Sequence, residues 1–459
     1  MLPINRRAVV AGLAAGLGGV AATVIGGRRT FAAGSPASAK IVVIGGGPGG
    51  ATLANALKKL ERNITVTLIE PKQAYTTCFY SNHYIGGLRT FDSITHSYRG
   101  LKALGINVVS DTASAIDTNA RTVTTASGDT FPYDRLVVAP GIDFKFDGIE
   151  GYSEAAAETM PHAWRGGVQT QLLRNQLEQM EDGGTVLLAP PRAPYRCPPG
   201  PYERACVIAN YLKTSKPKSK LVIVDPKMAF SKQPVFQEAF DKHYKDLVEL
   251  HLTNDIDDFS LAKVDVDARE ITTKSGLKVK ASVTNIIPDQ KAGSIAAKSG
   301  LTQGDWCPID PKTFKSTLAQ NVYVIGDAAI ATDMPKSAYS ANSQAHAVTG
   351  DILADLSGKP PPPNTFYNIC WSFVAPNDVV KIGADYRPGD FGGKFALAPT
   401  NAFVSQPGES AALRKTNFDE SAAWYDTLVT DIFVNTPMGQ EQPGKPAQAP
   451  SKKKSDQKL

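Results

Sequence analysis

Apolar residues in this chain gather into short unbroken runs. KIVVI (40–44), NITVTLIEP (63–71), YDRLVVAPG (133–141), TVLLAPP (185–191), SKLVIVDP (219–226) and NVYVIGDAA (321–329) each hold a core of Val, Ile and Leu with almost no alternation. Such runs predict strands buried on both faces, the mark of a parallel sheet covered by helices. Between them, apolar positions recur at helical spacing after the glycines that follow residue 44, in VQTQLLRNQLEQM (168–180), in ERACVIANYLKT (203–214) and from about Ser337.

Segments 40–71 and 184–226 repeat one plan of strand, loop, helix and strand, which predicts an α/β fold with two Rossmann-like dinucleotide-binding-type domains. Residues 102–141 alternate short β-rich runs with turns, and the proline-rich GKPPPPNTF (358–366) connects to a last segment read as a C-terminal α+β interface domain. The expected division is 1–39 leader, 40–160 first part of the first dinucleotide domain, 161–294 second Rossmann-like domain, 295–360 return to the first domain, 361–435 C-terminal domain and 436–459 disordered tail.

Composition narrows the function classes. A hydrophobic share of 42% with 20% charge is ordinary for a soluble globular protein. The net charge of +5 resides partly at the ends, in four arginines before residue 30 and in Lys452, Lys453, Lys454 and Lys458. No element concentrates basic residues with interleaved aromatics, so nucleic acid is not expected as a partner. Arg6 and Arg7 precede a weakly hydrophobic, glycine-rich run and then Ala37-Ser38-Ala39, the layout of a twin-arginine export signal. That route predicts a periplasmic protein carrying a cofactor acquired before export. No stretch has the length and hydrophobicity of a membrane span, so membrane association is not expected.

Chemistry enters at the first glycine loop. Gly45, Gly47 and Gly50 satisfy G-x-G-x-x-G between strand and helix, and Glu70 closes the second strand. Glycines there admit a pyrophosphate to a helix N-terminus, and the carboxylate accepts from a ribose hydroxyl. Asp327 ends a later strand, where a carboxylate can accept from a ribityl chain. The helix opening in PKSAYSANSQAHA (335–347) would aim its positive end at a flavin ring, which places Lys336 and Ser337 among the cofactor-binding residues. Together these features favour FAD over NAD.

The second loop, PPRAPYRCPPGPYER, replaces glycines with prolines, which lack an N–H donor and keep the backbone from approaching a phosphate. No NAD(P)H site is expected there. Cys197 instead sits in a stiff loop beside a helix N-terminus, a setting that favours a thiolate; Glu203 could shuttle a proton, and Cys370 is a candidate partner. The plain readings, a buried structural thiol and a first-turn carboxylate, stay open at this point. The five cysteines (78, 197, 206, 307 and 370) are an odd number, and there is no CxxCH, so no c-type haem is expected on this chain.

Six stretches carry a resemblance: YTTCFYSNHYIGG (75–87), PHAWRGGVQTQLLRNQLEQM (161–180), APYRCPPGPYERA (193–205), GDWCPID (304–310), PKSAYSANSQ (335–344) and NICWSF (368–373). Across residues 40–435 the chain resembles the flavoprotein subunit of flavocytochrome c sulfide dehydrogenase and, more distantly, sulfide:quinone oxidoreductase, both within the glutathione-reductase-like pyridine nucleotide-disulfide oxidoreductases. The resemblance implies oxidation of hydrosulfide to sulfur or polysulfide through FAD, with electrons passed to a separate c-type cytochrome subunit. It implies a thioether from Cys78 to the flavin, a redox-active Cys197–Cys370 disulfide and an acidic Glu203 beside it. Cys206 and Cys307 are expected to be structural; Trp371 and Trp424 could approach the flavin or a partner, with core packing the favoured expectation for each. Two competing readings remain, a quinone-reducing sulfide oxidoreductase and a non-catalytic FAD-binding partner of a sulfur-oxidising complex; quinone reduction, or no turnover with sulfide and cytochrome c, would mark each.

Overall fold

The computed structural model describes residues 38–253 and 258–434. The leader expected over 1–39 (save its last two residues) and the tail expected over 436–459 lie outside the described residues.

In chain order the principal elements are β1 (Lys40–Ile44), α1 (Pro48–Leu60), β2 (Thr65–Ile69), β3 (Asn107–Val109), β4 (Arg135–Val138), α2 (Val168–Gln179), β5 (Thr185–Ala189), α3 (Gly200–Ser215) and β6 (Lys220–Asp225). There follow α4 (Gln233–His243), β7 (Val248–Leu252), β8 (Val283–Ile286), β9 (Val322–Val324), α5 (Ala338–Leu356), β10 (Phe366–Ala375), β11 (Asp378–Phe391), β12 (Lys394–Val404) and α6 (Ala411–Phe433).

The unbroken apolar runs form two parallel sheets. The first has the order β9-β4-β1-β2-β3 and the second β7-β6-β5-β8. Every residue of β1 and β2 after the first is buried, as a strand covered on both faces must be. Removing each Val, Ile or Leu side chain from water stabilises the fold by about 1.5–3 kcal/mol before entropy is charged, so these runs dominate the core. The small residues Ala51 and Ala54 let α1 approach its sheet closely.

β10, β11 and β12 form an antiparallel sheet. The long α6 then folds back, burying Tyr425, Leu428, Val429, Ile432 and Phe433. The apolar character of WYDTLVTDIFV (424–434) is therefore turned largely inward. Asp431 ties this helix to the first domain through Asn55 at its carbonyl and through Asn342 (2.8 Å) and His346 (2.8 Å) at its carboxylate. Among the described residues no helix is long and apolar enough to cross a membrane.

Candidate functional site

At the first glycine loop two glycines answer to steric necessity. Gly45 has φ +98°, and a Cβ there would lie 2.2 Å from the Ala139 carbonyl oxygen; at Gly50 it would lie 2.0 Å from the Gly45 carbonyl oxygen. Gly47 caps α1 without a side-chain hydrogen bond, and Pro48 occupies the first turn. The helix thus presents uncapped N–H groups, as an anion site at a helix N-terminus requires. Glu70 is buried; its carboxylate accepts from Gly46 N–H (2.8 Å) and Lys72 N–H (3.1 Å).

A cavity opens beyond this loop where the two parallel-sheet domains meet the C-terminal domain. Its walls carry Cys78, Trp164, Arg196, Cys197, Glu203, Ser337, Tyr339, Cys370, Trp371 and Trp424. The three cysteines with expected redox or cofactor roles, from segments nearly 300 residues apart, therefore face one space. All five cysteines are free thiols in this structure. The Cys197–Cys370 bond implied by the resemblance is not formed here.

The proline loop delivers Cys197 in a constrained state. Its φ is +58°, unusual for a residue other than glycine. Its N–H donates to Lys336 O (2.7 Å), its carbonyl accepts from Gly200 N–H (2.8 Å), and Tyr195 O–H donates to Pro198 O (2.8 Å). A Cβ at Gly200 would come within 2.8 Å of both Cys197 Sγ and the Trp164 ring, so α3 begins on glycine to admit the thiol. Burial pushes the Cys197 thiol well up, with the Cys370 and Glu203 charges adding to it. Burial raises the Cys370 thiol too, while Lys232 pulls the other way.

Glu203 lies in the first turn of α3 and joins three segments. One carboxylate oxygen accepts from Asn82 Nδ2 (2.8 Å), on the short helix Ser81–Ile85, and the other from Phe373 N–H (3.0 Å) on β10. Burial raises its pKa against these two hydrogen bonds. Beside it, Arg204 is 1% exposed and donates to Asn82 Oδ1, His162 O, Ala163 O and Asn285 Oδ1 at 2.7–3.1 Å.

Asp327, expected at the end of a strand, lies instead in a 3-10 turn (Gly326–Ala328) that follows β9, the glycine at 326 taking the chain through φ +72°. Burial raises its carboxyl against the opposing charges of Arg196 and Lys336, and Arg196 Nη1 lies 3.8 Å away. Ser337 caps α5, accepting from Ser340 N–H (3.0 Å) and bonding to Asn368 Oδ1. The Lys336 ammonium donates to Asp327 O (2.7 Å) and Ala329 O (2.9 Å) and lies over the Trp306 ring. Trp371 and Trp424 pack against the core and also stand at the cavity wall with their rings 5.3 Å apart, and Tyr339 stacks on Trp424. Cys206 and Cys307 are buried.

The residues fit a flavin dinucleotide. The cradle at Gly45 and Gly50 excludes any side chain, α1 opens uncapped beside it, and Asp327 Oδ1 and Trp164 Nε1 are buried without a hydrogen-bond partner among the described residues. Sequence reasoning missed Arg196, Trp164, Asn82 and Tyr339. Only Arg196 carried a signal, as the neighbour of Cys197.

In the second sheet, the carboxylate that would meet a nicotinamide ribose belongs to Asp225 at the end of β6. It is fully buried and already held by Lys227 Nζ (2.6 Å) and the Tyr202 hydroxyl.

Three family models match the chain: pyridine nucleotide-disulphide oxidoreductase over residues 39–177, the central part of the sulfide dehydrogenase [flavocytochrome c] flavoprotein chain over 170–288, and flavocytochrome c sulphide dehydrogenase, flavin-binding, over 362–433. The sulfide dehydrogenase [flavocytochrome c] flavoprotein chain of Chlorobaculum thiosulfatiphilum is 56% identical over 43 residues, 9% of this chain and 90% of that sequence. The sulfide-quinone reductase of Aquifex aeolicus is 25% identical over 433 residues, 86% of this chain and 95% of that one. The crystal structure of sulfide:quinone oxidoreductase from Aquifex aeolicus superposes with a TM-score of 0.67 at 18% identity, covering 87% of this chain and 93% of the other, a likeness of fold.

Proposed function

The chain belongs to the family of flavocytochrome c sulfide dehydrogenase flavoprotein chains, and from that premise we propose that it is an FAD-dependent oxidoreductase that takes two electrons from hydrosulfide through Cys197 and Cys370 and delivers them to a c-type cytochrome. The observation that carries this reading is the convergence of Cys78, Cys197, Cys370 and Glu203 on one cavity.

Bound FAD supplies a two-electron acceptor that releases electrons singly to a haem. Gly45, Gly47, Gly50 and Glu70 would hold its dinucleotide end, Asp327 and the start of α5 its ring end, and Cys78 would anchor it covalently. In the oxidised protein, hydrosulfide attacks one sulfur of the Cys197–Cys370 disulfide. The S–S bond breaks, a cysteine persulfide forms on one residue, and the other leaves as a thiolate. Glu203, with its raised pKa, holds or takes the proton that the sulfur loses. Overall HS⁻ gives up two electrons and a proton and departs as sulfur or polysulfide.

No role for NAD(P)H is proposed, because prolines stand where a phosphate would lie and Asp225 is already paired. The expected periplasmic location is likewise proposed from the twin-arginine leader. A second reading, quinone reduction, is favoured by the match to the Aquifex sulfide-quinone reductase over 95% of its length. Against it, α6 buries its apolar face.

The test compares the wild type and Cys197→Ser with sulfide and either cytochrome c or a ubiquinone analogue. The variant should retain FAD and lose sulfide-dependent flavin reduction; normal turnover would overturn the disulfide route. Faster reduction of quinone than of cytochrome c by the wild type would replace the proposed acceptor.

A further inference from the structure

Lys232 occupies the end of a turn, in the sequence FSKQP, that reads as solvent-exposed. In the structure it is 5% exposed, and its position is unfavourable in three separate ways. Its φ is +61°, in the left-handed region that a residue with a Cβ seldom adopts. It is the N-cap of α4, where the helix dipole repels a cation. Its ammonium has also been withdrawn from water. A position that combines strain, dipole and desolvation persists when the surroundings over-determine it, and such positions cluster at functional sites.

The ammonium reaches the strand that carries Cys370. It donates to Cys370 O (3.0 Å) and Ser372 Oγ (2.8 Å), with Val380 O at 3.5 Å. One residue further along the same strand, Glu203 accepts the Phe373 N–H. Residues 370–373 are thus gripped by a cation and a carboxylate, both from the second parallel-sheet domain. Holding the strand alone needs only a neutral donor, which would avoid the desolvation of a charge. The charge itself requires an explanation.

We infer that Lys232 is a positioning residue whose buried ammonium is the counter-charge of the Cys197/Cys370 pair, stabilising the thiolate set free when a sulfur nucleophile opens their disulfide. The inference rests on the reading of these two cysteines as the sulfur-handling pair. The step it serves is balanced: HS⁻ plus the disulfide gives one cysteine persulfide and one cysteine thiolate, so a negative charge that entered as a solvated ion ends on a buried sulfur. The other charged and titratable groups facing the pair are Glu203 and Arg204 of α3, Arg196, Tyr195 and Cys78 of the loops, and Tyr386 of β11. Burial lowers the Lys232 pKa to about 8, opposed by Cys370, Glu203 and Cys197. Lys232 also acts on both thiols in the direction that favours thiolate.

The experiment reads thiolate directly and does not depend on turnover. The full-length holoprotein is reduced, and the rate of iodoacetamide alkylation at Cys197 and Cys370 is followed against pH by peptide mass spectrometry. Lys232→Gln keeps hydrogen-bond donors and loses the charge; Lys232→Arg keeps the charge. Removing an opposite charge within a few ångströms moves a pKa by about one unit or more. Alkylation at fixed pH should therefore slow about tenfold in Lys232→Gln, with the pH profile displaced upward, and stay within about twofold of wild type in Lys232→Arg. A folded Lys232→Gln protein with an unchanged profile would overturn the inference. Should that variant not fold, the arginine variant decides, since a tenfold loss there also overturns it. Normal sulfide turnover in Cys197→Ser would instead defeat the underlying reading, while leaving the alkylation result to stand on its own.

Discussion

Replacing Gly50 with alanine puts a carbon 2.0 Å from the Gly45 carbonyl oxygen and 3.0 Å from Val43 Cγ1. Ordinary contact begins at 3.4 Å, so backbone must separate from backbone by about 1.4 Å, and no side chain can absorb the movement. Gly50 lies in the first turn of α1, so the helix N-terminus withdraws from the loop it completes. Overpacking of this kind costs about 1–3 kcal/mol, and a clash between main chains belongs at the upper end. If about 2 kcal/mol of that falls on cofactor binding, FAD affinity drops roughly thirtyfold. The assay is FAD affinity by titration in a Cys78→Ser background, where no thioether can retain the flavin, together with the melting temperature. Gly148→Ala, outside the loop, is the control. Its Cβ would meet nothing within 4 Å, so the cost should stay under about 1 kcal/mol. In that background, a Gly50→Ala protein with unchanged FAD affinity and an unchanged melting temperature would refute the assignment of this loop to the pyrophosphate.

Two further outcomes are expected. Arg204→Met leaves the four buried acceptors on Asn82, His162, Ala163 and Asn285 without their donor, which should cost at least about 3 kcal/mol in urea unfolding; a loss below about 1 kcal/mol would show that water replaces the guanidinium. Burial pushes His83 and His162 down to about 3, below their unfolded value near 6.5, with Arg89 adding to the effect at the first and Arg165 at the second. The unfolded chain therefore binds more protons in mild acid. This contribution is present above pH 6.5 and is lost as pH falls toward 3, with a slope of about 2.7 kcal/mol per pH unit for two histidines well below pH 6.5. Urea midpoints measured from pH 7 to pH 5 should fall accordingly, and a flat profile would mean that the rings are solvated or charged in the native state.

What the sequence disclosed depended on whether the constraint was local. β1, the glycine loop and α1 were legible because a buried parallel strand and a phosphate cradle impose composition on a contiguous stretch. Cys197 was legible for the same reason, as an intrusion into a familiar frame. Arg196, one residue earlier, carried no pattern of its own: its position is defined by Trp164 and Asp327, distant in sequence. Lys232 was hidden more thoroughly, since a lysine between Ser and Gln looks like surface. Trp371 and Trp424 could not be given one role from sequence, because an aromatic ring suits a core and a cavity wall equally well, and here each does both.

The walls of the cavity come from nearly the whole length of the chain, from Cys78 near one end of the described residues to Trp424 near the other. A ribosome emits these parts in order. At about 5–20 residues per second, roughly 350 residues separate Cys78 from Trp424, an interval of about 20–70 s. Throughout that interval the thiol lies in a chamber without its last wall, and the first parallel sheet lacks β9 until residue 324 has emerged. A chain cut between β12 and α6 keeps every strand of both parallel sheets but lacks Trp424, and with it one wall of the room between them.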